Sequence, residues 1–190
     1  MEKIYKIIRI ITLAPVLASF SLTMIALLCD GVFLSPLHFI CTLLFLGLLP
    51  LLAYPLQKFT PHFKDKGRDG QRTLAMIFAV SGYFCCLFAN LILGASSGMW
   101  IICLEYLISG ALILIFNKLL HLKVSAHGCG SAGPVFLLLY FGLYVPAAIM
   151  GVITILAYFA SVKAKHHTFP QLIGGSAISI FVLFALAIIS

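Results

Sequence analysis

The sequence predicts an all-α, polytopic membrane helix bundle of about seven spans, organised as a single transmembrane domain over residues 1–190. Three observations carry that prediction. Of the 190 residues, 63% are hydrophobic and only 9% charged, whereas soluble domains hold about a quarter charged residues and under half apolar ones. The apolar residues fall in successive runs of about 20, the length that crosses a bilayer core. The 12 Lys and Arg residues, against 5 Asp and Glu, sit in short segments between those runs, where positive charge orients helices against the membrane.

The first run follows MEKIYKIIR and covers roughly 7–28. It is longer than the apolar core of a signal peptide, and further spans follow it, so it reads as an uncleaved first helix. Clear spans come next at about 37–56, 73–93, 99–119 and 171–189. The run 128–160 is long for one span and short for two. It is interrupted by Gly142-Leu143-Tyr144-Val145-Pro146, and Gly and Pro loosen and break helices. One helix there gives six spans, two give seven.

Charge favours seven. With a cytoplasmic N-terminus the inner segments are 1–9, 57–72, 118–127 and 161–170. They hold Lys3, Lys6, Arg9, Lys58, Lys64, Lys66, Arg68, Arg72, Lys118, Lys123, Lys163 and Lys165, which is every basic residue in the chain. Six spans would put Lys163 and Lys165 outside, against the positive-inside rule.

Composition also excludes some functions. The net charge of +7 lies in loops that orient spans, with no basic–aromatic interleaving, which argues against nucleic-acid binding. The six cysteines form no Cys-x-x-Cys pair and mostly lie in apolar runs, where Cys behaves as a small apolar residue. His38, His62 and His121 have no partners at ligand spacing, so no metal or other cofactor is expected.

Three polar clusters fall on the same inner face: KDKGRDGQR (64–72), KVSAHGCGSAG (123–133) and KAKHHTFPQLIGG (163–175). Each opens a helix, and helix N-termini present free N–H groups and a positive dipole end to anions. Two clusters carry His and all carry Lys or Arg. Basic groups around paired imidazoles suit a phosphate ester: cations neutralise it, one His attacks and the other protonates the leaving oxygen.

Together these residues resemble the type 2 phosphatidic acid phosphatase superfamily, whose pattern runs K-x6-R-P, then P-S-G-H, then S-R-x5-H-x3-D. The resemblance covers roughly 64–175. It implies His167 as nucleophile through a phosphohistidine, His127 as general acid, and Gln171 in the place of the family's supporting Asp. It further implies Arg72 and Ser125 as phosphate contacts, with Lys123, Lys163 and Lys165 as additional ones. The chain departs from the pattern at Asp65 for the first Lys, Thr73 after Arg72, Val124 for Pro and Ser161 for the third-motif Arg. The implied substrate is a lipid phosphomonoester or pyrophosphate, hydrolysed at the cytoplasmic side of a cell membrane. If the clusters form one site, the His127 and His167 side chains approach within about 6–8 Å.

Simpler readings exist for each part. Ser125 suits a helix N-cap, Gly128, Gly130 and Gly133 suit close helix packing, and His166 and His167 suit headgroup contacts. The rival functions are a relative that binds lipid phosphate without hydrolysing it, and a small transporter or structural subunit. Glu105 is an acid within a span and by default suggests function. It is placed towards the outer end of its span, pairing with Asn90 and too far from the inner face to join the histidines.

Overall fold

The computed structural model describes residues 12–189, with Arg68 by its backbone alone. Lys3, Lys6, Arg9 and the opening of the expected 7–28 helix therefore lie outside the described residues. Seven helical segments follow one another: α1 (Ala14–Leu28), α2 (Pro36–Phe59), α3 (Gly67–Leu93), α4 (Ser97–Leu119), α5 (Ala126–Tyr140), α6 (Tyr144–Lys163) and α7 (Phe169–Ile189). Among the described residues there is no strand. Five of the seven, α2, α3, α4, α6 and α7, are long and apolar enough to cross a membrane. Large apolar side chains such as Ile92, Val145 and Phe181 point outwards, the surface a bilayer solvates rather than water. This is an integral membrane bundle.

The ambiguous stretch divides in two. At the end of α5, Gly142 takes φ 74°, the left-handed conformation that glycine enters without steric cost. Leu143 N–H then donates to Leu138 O at 2.8 Å and Gly142 N–H to Leu139 O at 3.0 Å. That pair of bonds is a Schellman motif, which closes a helix by satisfying its last carbonyls. Pro146 falls in the first turn of α6, where its missing N–H costs nothing. The chain turns back here, and Lys163 returns to the end of the bundle at which α5 starts.

The core gathers Leu22 and Ile25 of α1, Leu46 of α2, Ile102 of α4, Leu137 and Leu138 of α5, and Met150 of α6. The 15-residue α5, about 22 Å long at 1.5 Å per residue, is the innermost helix, packing on α1, α4, α6 and α7. Its closest crossing is with α7. A methyl group on Gly128 would meet Leu172 O at 2.5 Å, and one on Gly175 would collide with Ser125 O and Cys129 N. Small residues let membrane helices approach this closely, so the packing expected of Gly128 is seen. Gly130 against Ala14 and Gly133 against Glu105 and Ser179 serve the same purpose.

Candidate functional site

The site forms where α5 and α7 begin. Ser125 caps α5, its Oγ accepting Gly128 N–H at 3.1 Å, and is itself buried. Its N–H donates to Gln171 O at 3.0 Å, a backbone tie that locks the second cluster to the third. Deeper, the Tyr158 hydroxyl donates to Gly128 O at 2.8 Å and meets Ser176 Oγ at 2.6 Å, fastening α6 to both helices. The loop before α5 is clamped by Asn117 in the π-helical end of α4. Its Nδ2 donates to Val124 O at 3.0 Å and its Oδ1 accepts Val124 N–H at 3.1 Å.

These constraints bring the two histidines together. The His127 and His167 rings lie 6.2 Å apart between centroids, 12° from parallel, within the separation that a single site requires. Both open onto a cavity of about 380 Å³, whose mouth also includes Arg72 and Lys118. Arg72 lies inside α3, since that helix starts at Gly67 rather than near 73.

The remaining expected residues fare differently. Lys123, Lys163 and Lys165 are exposed and do not border this cavity. Ser125 is engaged as the N-cap of α5, and it is buried and does not border the cavity. Gln171 acts in a way its i,i+4 spacing from His167 did not suggest. Its Oε1 accepts Thr168 N–H at 3.2 Å, the return half of a capping box in which the third helical residue reaches back to the N-cap backbone. Thr168-Phe-Pro-Gln171 carries that signature openly. Lys118, taken only as an orienting charge, is the residue that sequence reasoning missed. Its signal was the adjacent Asn117, an amide near the inner end of an apolar span.

Glu105 also differs from expectation. It does not pair with Asn90, whose Nδ2 donates to Met99 O at 3.3 Å. Its Oε1 instead receives the Ser179 hydroxyl at 2.6 Å and the Ser109 hydroxyl at 3.4 Å. Spacing to Asn90 along two spans ignored α7, which brings Ser179 against α4. Glu105 further borders the same cavity as the histidines, although it lies deeper.

Two backbone outliers flank the site. His121 and Lys165 hold φ of 55° and 54°, the left-handed region that costs a non-glycine residue about 1–2 kcal/mol. One lies before Ser125 and the other before His167, and such strain persists where surrounding structure imposes it. Among the described residues no group of three or more His, Cys, Asp or Glu is placed to hold a metal ion. Compared with known protein families, curated proteins and solved structures, the chain matches none.

Proposed function

We propose that this chain is a membrane phosphatase acting on lipid phosphomonoesters or pyrophosphates through a phosphohistidine. The observation that carries the reading is the stacked His127–His167 pair, 6.2 Å apart, at the mouth of a cavity shared with Arg72 and Lys118. A lipid phosphate enters with its headgroup between the cations and its chain along the apolar walls. A nitrogen of neutral His167 attacks phosphorus. The P–N bond forms as the P–O bond to the lipid breaks, and His127 delivers a proton to the departing oxygen. His127 then takes a proton from water, whose oxygen attacks phosphorus and releases His167 with inorganic phosphate. No step calls for a metal or a cofactor.

In this reading all seven helices cross, with both histidines on the cytoplasmic side of a cell membrane, where the basic residues lie. The partners are the lipid phosphate and surrounding lipids, with no nucleic acid.

Purified protein should release phosphate from a panel of lipid phosphates. His167→Ala should abolish release and the acid-trapped phosphoenzyme. Activity should fall at acid pH, because protonated His167 has no lone pair to attack with. Release that survives His167→Ala would remove the nucleophile from the mechanism.

One observation favours a second reading, a relative that binds lipid phosphate and returns it unchanged. Gln171, which stands where the family has a carboxylate, spends its Oε1 on Thr168 and offers His167 no charge to stabilise an imidazolium. Gln171→Asp separates the two readings: raised activity at acid pH supports the phosphatase. Binding without turnover in both proteins supports the binder.

A further inference from the structure

The cavity behind the histidines is a slot. It is bordered by one face of α4 from Lys118 to Glu105, about 20 Å along the helix, and by one face of α3 from Arg72 to Tyr83, about 16 Å. Helices α1 to α5 each pack on the next, and α5 packs back on α1, so five helices ring it. Its basic groups, Arg72 and Lys118, stand with the two histidines at one end. Beyond them the wall is set by side chains such as Ala18, Ala79, Val80 and Ile113. The far end is blind. One turn past Ala18, Glu105 and Pro134, the bundle is filled by Leu22, Ile102 and Leu137, each fully buried. Glu105 borders that end with its Oε1 already held by Ser109 and Ser179.

The volume of about 380 Å³, spread over that length, leaves a cross-section of about 20 Å², the width of one hydrocarbon chain with carbon contacts of about 4 Å on each side. At about 30 Å³ for a group the size of a water or a methylene, the slot holds about a dozen carbons. We propose that it receives the tail of the substrate, so that the protein takes single-chain phosphate amphiphiles of about a dozen carbons and turns away two-chain and much longer lipids. The proposal rests on the phosphate reading of the mouth. A tail that leaves the bilayer gains nothing from dehydration, because lipid is as apolar as the slot. Its gain is contact: atoms lining a narrow apolar slot find few partners across it, and a chain of matching width supplies them. A second chain on the same headgroup has no room beside the first. Further carbons run into the filled core around Leu22 and Ile102.

The test uses dodecyl phosphate with a diazirine at its penultimate carbon, and the full chain carrying His167→Ala in nanodiscs of phosphatidylcholine. Illumination expels dinitrogen, and the carbene left near the chain end inserts into whatever lies beside it. Peptide mass spectrometry should place the label at the blind end, on Leu46, Tyr83 or Glu105. Unlabelled dodecyl phosphate should suppress that label at a concentration about tenfold lower than octadecyl phosphate or didodecanoyl phosphatidic acid, since forcing either into the slot overpacks it. Ala79→Phe obstructs the slot midway. By calorimetry it should weaken dodecyl phosphate about tenfold relative to butyl phosphate, which is too short to reach it. Ala79→Leu should act in the same direction with a smaller insertion.

Label on outward-facing residues such as Phe159 or Phe181, or equal competition by all three lipids, overturns the slot. A label at the blind end, without phosphate release from dodecyl phosphate by the unmodified chain, keeps the slot and removes the phosphatase. Release with outward label and no discrimination between one chain and two does the reverse. If neither label nor release is seen, both proposals fall.

Discussion

Gly175 and Gly174 are neighbours on α7 with opposite tolerance for a methyl group. A Cβ on Gly175 would collide with Ser125 O and Cys129 N, both backbone, whereas one on Gly174 would meet only the Val124 side chain at 3.2 Å. Overpacking of rigid neighbours costs about 1–3 kcal/mol. Gly175→Ala should therefore lower the unfolding midpoint in detergent and also abolish activity, because it pushes α7 and His167 away from α5 and His127. Gly174→Ala should leave both near the wild-type values. The residue scale is also where sequence reasoning was weakest. The approach of His127 and His167, 6.2 Å between ring centroids, was legible because both open polar clusters that the span count placed on one face. Glu105 was misassigned because distance along α4 says nothing about a cavity reaching it from α5. Lys118 was hidden because a lysine at the inner end of a span already had a sufficient explanation in topology.

At the level of elements, the start of α5 joins a cap to a candidate binding surface, and the two roles can be separated. Ser125 Oγ bonds Gly128 N–H, so Ser125→Ala should cost about 1 kcal/mol of stability, the usual value of an N-cap. Affinity for a short-chain phosphate should change little, because Arg72 and Lys118 border the cavity and Ser125 does not. Thermal unfolding and phosphate competition, measured on the same preparation, check the two halves. A large loss of affinity with unchanged stability would return Ser125 to the phosphate. The division of 128–160 was legible from Gly142 and Pro146, since few residues other than Gly enter the left-handed turn at low cost. The capping box of α7 was equally legible in Thr168 and Gln171, although the i,i+4 spacing of Gln171 from His167 offers a competing partner.

For the whole molecule, the alternation of helices places the starts of α3, α5 and α7 at one end. Reporters fused after Arg72, His127 and Lys165 should all read cytoplasmic, because the segments joining α2 to α3, α4 to α5 and α6 to α7 carry the basic residues from Lys58 to Lys165 and positively charged segments stay inside. An external reading at Lys165 would separate the third cluster from the other two. The bundle was legible at this scale because apolar run length and charge placement are constraints that the bilayer imposes directly. Which helix would lie at the centre was not, since α5 is no more apolar than its neighbours and it is the close approaches at Gly128, Gly130 and Gly133 that draw it inward.

The shortness of α5 bears on how the protein is made. With 15 residues that include His127, Ser131 and Pro134, it is a poor candidate to leave the translocation machinery for lipid by itself. The hydroxyl groups that meet its backbone and Glu105 from α6 and α7, those of Tyr158 and Ser179, are synthesised later. During synthesis α5 is therefore a guest awaiting its hosts. Quality control should see the chain as incomplete until α7 has been delivered, and the two histidines first meet at that moment.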